Sequence, residues 1–253
     1  MRTFKLTLCY DGTRYRGWQK QGNTSNTIQA KLETLLSRLL DQPIEVQGSG
    51  RTDAGVHAAG QVASFRADTE LSCPEILYGL REYLPEDIGA LSVTEMGGRF
   101  HARLSAADKT YIYRVWNSET PCVFERKYVY VYPRPLDIDA MQAAADRLCG
   151  RHDFAAFSTG KKRGNAATRT LHSVEVERVG EEVRLRFCAD GFLYNMARIL
   201  TGTLLEIGAG ERSADCVDEI FAAGERAKAG FTAPARGLCL ESVRYTAGIM
   251  EMR

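Results

Sequence analysis

The sequence lacks any long apolar stretch. Its longest segment without Asp, Glu, Lys or Arg covers residues 54–65, which is 12 residues and includes His57 and Gln61. A helix that crosses a bilayer needs about 20 apolar residues. The first five residues, Met-Arg-Thr-Phe-Lys, also lack the apolar core of a secretory signal. We therefore expect a cytoplasmic protein without a membrane span.

Cysteine and histidine are too sparse and too scattered to indicate a metal centre. The seven cysteines are an odd number, and no two of them form a Cys-x-x-Cys pair. The four histidines stand at positions 57, 101, 152 and 172. This spacing excludes a zinc or disulfide framework and gives little support to a histidine metal site. We expect reduced thiols and no metal.

The chain also lacks an excess of either charge, since 33 Lys and Arg stand against 32 Asp and Glu. With 44% hydrophobic and 26% charged residues, the composition is that of an ordinary globular protein. Two segments are nevertheless locally basic: residues 1–20 contain five cations and only Asp11, and residues 151–170 contain five cations and only Asp153. Such segments either bind a polyanion or are solvated loops.

Apolar periodicity predicts the order β-α-β-β-α-β in the first half of the chain. The Ser72-Cys73-Pro74-Glu75 run predicts a helix start, and Asn26 with Gln29 predicts a capping box for the first helix. This order is that of a ferredoxin-like, or split β-α-β, unit. The predicted elements are strands at 3–10, 44–48, 60–66 and 88–95, and helices at 27–40 and from Ser72 onward.

The second half approximates the same order. Its predicted elements are strands at 109–117, 127–131, 171–179, 182–189 and 238–245, and helices at 138–149, 192–207 and 213–223. The sequence therefore predicts an α+β protein of two ferredoxin-like halves, residues 1–104 and 105–253. We expect mostly antiparallel sheets with the helices on their outer faces.

The segment 48–58, Gly-Ser-Gly-Arg-Thr-Asp-Ala-Gly-Val-His-Ala, is glycine-rich and lies between two predicted strands. It fits neither a phosphate-binding Walker loop nor a dinucleotide fingerprint, and no second acidic triplet makes an aspartic protease pair. What remains is a carboxylate on a loop whose glycines allow another backbone segment to approach closely. Asp53 could then be an ionised nucleophile or general base, with Arg51 paired to it or to a phosphate. The alternative is a structural turn former.

Three further groups have both a functional and a structural interpretation. Tyr111 and Tyr113 share one strand face, which is either a stacking platform for an unpaired base or core packing. Arg198 lies at the edge of a helical apolar stripe, where it either needs an acidic partner or extends to solvent. Arg14 and Arg16 alternate with aromatic residues, an arrangement that suits RNA but also fits an exposed turn.

Taken together, these segments resemble the TruA family, the tRNA pseudouridine synthases that act on the anticodon arm. The matching segments follow the family order and span most of the chain. They are Tyr10-Asp11-Gly12, Tyr15-Arg16-Gly17-Trp18-Gln19, Gly50-Arg51-Thr52-Asp53-Ala54-Gly55-Val56-His57, Phe100-His101-Ala102-Arg103, Lys109-Thr110-Tyr111-Ile112-Tyr113, Phe154, Arg169-Thr170, Asn195-Met196-Ala197-Arg198 and Ala233-Pro234-Ala235-Arg236-Gly237-Leu238.

The resemblance implies an isomerase that converts uridine to pseudouridine, at tRNA positions 38, 39 and 40, without metal or organic cofactor. It implies a homodimer that holds the tRNA, and an RNA cleft between the two halves. Asp53 matches the catalytic aspartate of the family, Tyr111 the tyrosine that packs on the target base, and Arg51 and Arg198 the arginines near the aspartate. Arg14, with Arg16 and the 161–163 loop, would contact phosphates.

The residues alone leave other functions open. The chain could be a tRNA-binding protein without catalysis, a nucleoside hydrolase that uses the aspartate on a small substrate, or a structural α+β module with basic loops. Sequence also does not decide whether Asp53 attacks the ribose, attacks the base ring or removes a ribose proton.

Overall fold

The computed structural model describes residues 1–161 and 163–246, and divides the chain into two compact units. Unit 1 comprises Met1–Ala107 and the segment that begins at Leu240, and unit 2 comprises Asp108–Cys239. Both units combine helices with a sheet, so the α+β class is confirmed. No helix in the described ranges is both long and apolar enough to span a membrane.

Unit 1 has the β-α-β-β-α-β order that the sequence predicts. Its elements are β1 (Arg2–Tyr10), α1 (Ile28–Leu39), β2 (Val46–Gly48), β3 (His57–Ala67), α2 (Cys73–Tyr83) and β4 (Ile88–Met96). Strand β1 pairs antiparallel with both β3 and β4, and β2 pairs antiparallel with β3. The apolar face predicted for β1 is confirmed, because its alternate residues from Phe4 to Tyr10 are buried.

Unit 2 contains the elements from Asp108 to Cys239. They are β5 (Ala106–Trp116), β6 (Tyr130–Val131), α3 (Ile138–Leu148), β7 (Gly150–Asp153), β8 (Thr168–Val179), β9 (Glu182–Ala189), α4 (Met196–Gly208) and α5 (Cys216–Ala223). The strands run in the order β5-β9-β8-β7, with antiparallel neighbours. Strand β6 pairs parallel with β5, so this sheet is mixed.

Two strands of the second half show the main differences from the prediction. Strand β7 was not predicted: helix α3 ends at Leu148, its C-cap Cys149 is already extended, and Gly150, with φ 112°, is the first residue of the strand. The last strand, β10 (Leu238–Tyr245), has the predicted bounds, but from Leu240 onward it lies in unit 1, where it pairs with β3. Residues 240–246 therefore belong with the first half rather than with the predicted 105–253 half.

The helix starts show which local signals were sufficient. The helix start predicted at Ser72 is confirmed, and α2 begins there with a capping box in which Ser72 and Glu75 exchange side-chain and backbone hydrogen bonds. The capping box predicted at Asn26 is wrong: Thr27 is the N-cap, and its hydroxyl accepts from Ala30 N. Helix α4 begins at Met196 rather than 192 because Asn195 has left-handed backbone angles (φ 62°) that a helix does not continue.

Candidate active site

The aspartate loop connects β2 to β3 in unit 1 and ends in a tight turn. The amide of Val56 donates to the carbonyl of Asp53 at 3.1 Å, and Gly55 between them has φ 78°. A turn with positive φ at its third residue favours glycine, since other residues are strained there. Asp53 is therefore the first residue of a hydrogen-bonded turn, with a half-buried side chain.

The segment that follows β1 closes over this loop. The amide of Trp18 donates to the carbonyl of Thr52 at 3.0 Å. A Cβ built on Gly12 would lie 2.0 Å from the carbonyl oxygen of Val56, and one on Gly17 would lie 2.7 Å from that of Thr52. Only glycine permits these approaches, so the two glycine-rich segments of the sequence fold directly against each other. We expected the glycines of the aspartate loop to allow another backbone to approach. In the structure, this is done mainly by Gly12 and Gly17, in the segment that follows β1.

His57 holds the same two segments together at the start of β3. Its ring is buried, and its Nδ1 accepts a hydrogen bond from the amide of Gly12 at 3.1 Å. An acceptor Nδ1 carries no proton, so the 3.2 Å distance from this atom to the Asp11 carboxylate is not an ion pair in that tautomer. Asp11 instead accepts from the amide and the hydroxyl of Thr13. His57 therefore anchors the loop at the end opposite Thr52.

Three of the arginines predicted to bind the substrate, Arg51, Arg16 and Arg14, lie in unit 1 and are in different situations. Arg51 is exposed, and in the described part of the chain its side chain forms no ion pair or hydrogen bond, so it does not pair with Asp53. Arg16 is also exposed. Arg14 donates to Asp87 through Nε at 2.9 Å and Nη2 at 2.6 Å, and the hydrogen bond to this carboxylate raises the pKa of Arg14. Its charge is thus partly neutralised.

In unit 2, Tyr111 lies on β5 in the register position opposite Phe187 of β9. Its side chain is only 6% exposed, and its ring meets the edge of Phe192 with centroids 4.8 Å apart. Tyr113, two residues along the same face, is fully buried and donates its hydroxyl to the carbonyl of Pro234 at 2.8 Å. Burial raises the pKa of Tyr113, so it stays protonated. Tyr113 is therefore part of the core, whereas the side chain of Tyr111 keeps a small exposed fraction.

Arg198 lies in the first turn of α4, and two of its donors are bound by oxygens of nearby residues. Its Nε donates to the carbonyl of Ala233 at 2.7 Å, and its Nη1 donates to Oδ1 of Asn195 at 2.8 Å. The amide of Ala233 in turn donates to the carbonyl of Arg198. Two segments that the resemblance singled out separately, Asn195–Arg198 and the tail from Ala233, are therefore joined at this guanidinium.

The basic loop at residues 161–163 and the prediction of no metal add little to the description of the site. Lys161 and Arg163 are exposed, and Arg163 donates to the carbonyl of Gly160, whereas Lys162 lies outside the described residues. Within residues 1–161 and 163–246, no group of three or more His, Cys, Asp or Glu side chains is arranged to hold a metal ion.

Sequence reasoning missed the buried polar residues behind the aspartate loop. Thr52, Ser49 and Gln61 are all at most 5% exposed, and they connect the loop to β1 and β3 through side-chain hydrogen bonds. A glutamine in an otherwise apolar strand pattern was the available signal, because a buried amide must find partners for all its polar atoms.

Comparison with known proteins gives matches along nearly the whole chain. A family described as "tRNA pseudouridine synthase" matches residues 8–104 and 144–246. A protein of Bacillus sp. (strain KSM-64) named "tRNA pseudouridine synthase A" is 45% identical over 97% of this chain and 100% of its own length. A protein of the same name from Acetivibrio thermocellus is 41% identical over the same shares.

Among solved structures, the chain is similar to one in the archaeal box H/ACA sRNP Nop10-Cbf5 complex. The TM-score is 0.36 and the identity 12%, over 80% of this chain and 44% of that one. A likeness at this level carries no argument about the fold or the site.

Proposed function

Because this chain belongs to the tRNA pseudouridine synthase family of the TruA type, and is thus an isomerase that acts on tRNA, we propose that its targets are uridines 38, 39 and 40 of the anticodon arm and that Asp53 carries the chemistry. The observation that supports the role of Asp53 most directly is its loop. The carboxylate is attached to a turn held by backbone hydrogen bonds on one side and by Trp18 on the other. A reacting group must be held within a fraction of an ångström, and this turn is built to do that.

The reaction suits a single carboxylate. The bond between the ribose and N1 of the base breaks, the base turns over, and a bond to ring carbon C5 forms, with no change in oxidation state. An ionised Asp53 could attack the anomeric carbon, attack the base ring or remove a ribose proton, and each route uses the same oxygen. No step calls for a metal or an organic cofactor, which agrees with the expectation from the resemblance.

We assign supporting roles to three residues by their match to the family. Tyr111 packs on the target base, and its ring would return about 1–3 kcal/mol of stacking after the base has left its own stack. Arg198 keeps its guanidinium in one orientation through Ala233 and Asn195. Arg51, whose donors have no partner in the described chain, is available for a phosphate or for the space that the base vacates.

Two further arginines and a second copy of the chain complete the proposed complex. Arg16 is exposed and suited to a phosphate, whereas Arg14 would have to share its charge with Asp87. We also propose a homodimer in the cytoplasm. The location is supported by the seven cysteines, which all lie in the described residues and form no disulfide. The expected RNA cleft between the two halves stays a prediction.

The test compares Asp53→Asn with Asp68→Asn, a control in the same unit whose carboxylate is 88% exposed. Pseudouridine is mapped in anticodon-arm tRNA after incubation with each protein, and tRNA binding is measured in parallel. We expect Asp53→Asn to form no pseudouridine while binding stays within about threefold of wild type, and Asp68→Asn to match wild type.

Each rival function gives a different result. Turnover by Asp53→Asn would end the assignment of that residue. Tight tRNA binding without product from the wild-type protein would favour a binding protein, and release of free uracil from nucleosides would favour a hydrolase. Pseudouridine at sites outside 38–40 would refute the proposed target positions and leave the role of Asp53 intact.

A further inference from the structure

Behind the aspartate loop lies a chain of buried polar side chains. Gln61 on β3 is fully buried, and so is Ser49 at the start of the loop. The Ser49 hydroxyl donates to Oε1 of Gln61 at 2.7 Å. Tyr10, the last residue of β1, and Thr52 are each 5% exposed, and their hydroxyls are 2.9 Å apart.

All the hydrogen-bonding capacity of Gln61 is used. Its Oε1 accepts from Ser49 and from the amide of Val62, and its Nε2 donates to the carbonyl of Gly50 at 3.1 Å and to the hydroxyl of Tyr10 at 3.2 Å. Two donated and two accepted bonds are the most that a glutamine amide makes with two protons and two lone pairs. The Gly50 carbonyl and the Val62 amide also fix which end of the side chain is which, because the amide oxygen has no proton to donate to a carbonyl and the NH2 group cannot accept from a backbone amide.

This network contacts the loop on the N-terminal side of Asp53. Gln61 holds the carbonyl of Gly50, and Tyr10 holds the side chain of Thr52. The main-chain carbonyl of Thr52 is held independently by Trp18. The residue directly before Asp53 is therefore fixed through both its side chain and its backbone, which leaves the aspartate little freedom to rotate about its own position.

Apolar packing alone would have filled this space. The neighbouring residues of β3, such as Val62, Ala63 and Phe65, are buried and apolar. Buried polar groups are tolerated only when every one is satisfied, and a satisfied network fixes one geometry where apolar contacts would permit several. The buried side-chain hydrogen bonds are thus concentrated next to the aspartate loop, which they hold in one conformation.

We propose that Tyr10, Thr52 and Gln61 are positioning residues, which orient the Asp53 carboxylate for reaction without touching the tRNA. The inference rests on the proposed role of Asp53. It assigns to this network an effect on the chemical step that is separate from its effect on stability.

The test uses small changes to single hydroxyls. Thr52→Val keeps the shape of the side chain and removes its hydroxyl, Thr52→Ser keeps the hydroxyl, and Tyr10→Phe removes the partner hydroxyl from the other side. Ser64→Ala is the matched control: Ser64 is a 5% exposed residue of the same strand, and its hydroxyl accepts from the amide of Ala102 at 3.0 Å, away from the loop. For each protein, the single-turnover rate at saturating tRNA, the Kd for tRNA and the Tm are measured.

We expect Thr52→Val and Tyr10→Phe to react at least about tenfold more slowly than wild type while their Kd for tRNA changes by less than about twofold. Thr52→Ser should restore the rate to within about threefold of wild type. Ser64→Ala should lower the Tm, as any loss of a buried hydrogen bond does, and leave the rate unchanged.

Thr52→Val reacting as fast as Ser64→Ala would overturn the proposal, and so would Thr52→Ser reacting as slowly as Thr52→Val. If Thr52→Val does not fold, the rate of Tyr10→Phe decides in the same way, because its ring keeps the packing against Trp18. Asp53→Asn is run beside these variants: activity there removes the role of Asp53, whereas an inactive Asp53→Asn with fully active network variants removes only the positioning role.

Discussion

Gly12→Ala should displace the aspartate loop by a distance that can be read from the structure. The new Cβ would lie 2.0 Å from the carbonyl oxygen of Val56, and real Cβ atoms essentially never come closer than 3.0 Å to such an atom. The two groups must separate by at least the difference, 3.0 minus 2.0, or 1.0 Å. Both are backbone-bound, so no side-chain rotation can relieve the contact.

The segment that carries Gly12 is anchored on both sides, so we expect the loop to move instead. The amide of Asp11 donates to the carbonyl of Asp87 at 3.0 Å, and the amide of Arg16 donates to the carbonyl of Asn26 at 2.9 Å. A misplacement of about 1 Å typically costs about 100-fold in rate, and overpacking costs about 1–3 kcal/mol of unfolding free energy. The variant should therefore fold, bind tRNA and react about 100-fold more slowly.

The assay is single-turnover pseudouridine formation at saturating tRNA, with urea unfolding measured on the same preparations. Gly22→Ala is the matched control, because a Cβ there has no neighbour within 4 Å and its φ is not positive. It should keep the wild-type rate and change stability by less than about 1 kcal/mol. A folded Gly12→Ala variant with the wild-type rate would refute the argument that the close approach of the two segments sets the position of Asp53.

Three further outcomes are expected. Tyr111→Phe should lose less activity than Tyr111→Ala in single-turnover assays, because the ring and its contact with Phe192 survive; the opposite ranking would give the main role to the hydroxyl. Arg198→Lys should lower the rate about tenfold or more although the charge is kept, because the planar group that binds two acceptors is lost, and a wild-type rate would make Arg198 a packing residue. Burial raises the pKa of Glu182, but hydrogen bonds from the arginines beside it, chiefly Arg114, outweigh this and lower the pKa overall. Because the pKa is lower in the folded state, Glu182 contributes stability above pH about 4.3 that is lost as the pH falls, so urea unfolding of Glu182→Gln should depend less on pH than that of wild type, and equal dependence would contradict this.

Local signals in the sequence were sufficient for most elements of unit 1. Alternating apolar residues in β1 and the Ser72–Glu75 pair each determine their own structure, because the contacts that matter are at most a few residues apart. The start of α4 could not be read in this way. The apolar spacing continues back to Leu193, but the left-handed angles of Asn195 depend on bonds to Thr159 and Arg198, which are made only after folding.

The candidate site was predictable in its residue types but not in its internal contacts. Glycines at 12 and 17 and the Gly50–His57 run are visible in the sequence, yet nothing in it shows that Gly12 meets Val56 or that Trp18 bonds to Thr52. Such pairings join residues about 40 positions apart and follow from the register of β1 against β3. The hydrogen bonds of Gln61 could not be predicted for the same reason, since its partners come from both segments.

Strand β3 has a neighbour, β10, that lies far along the chain. Gly60 on β3 faces Glu241 on β10, so 181 residues separate the two strands, 241 minus 60. While the nascent chain is still emerging from the ribosome, part of one edge of β3 therefore has no partner and is open to pairing with other polypeptides. The edge is next to the strand's start at His57, so the loop that carries Asp53 reaches its final surroundings only after β10 has been translated.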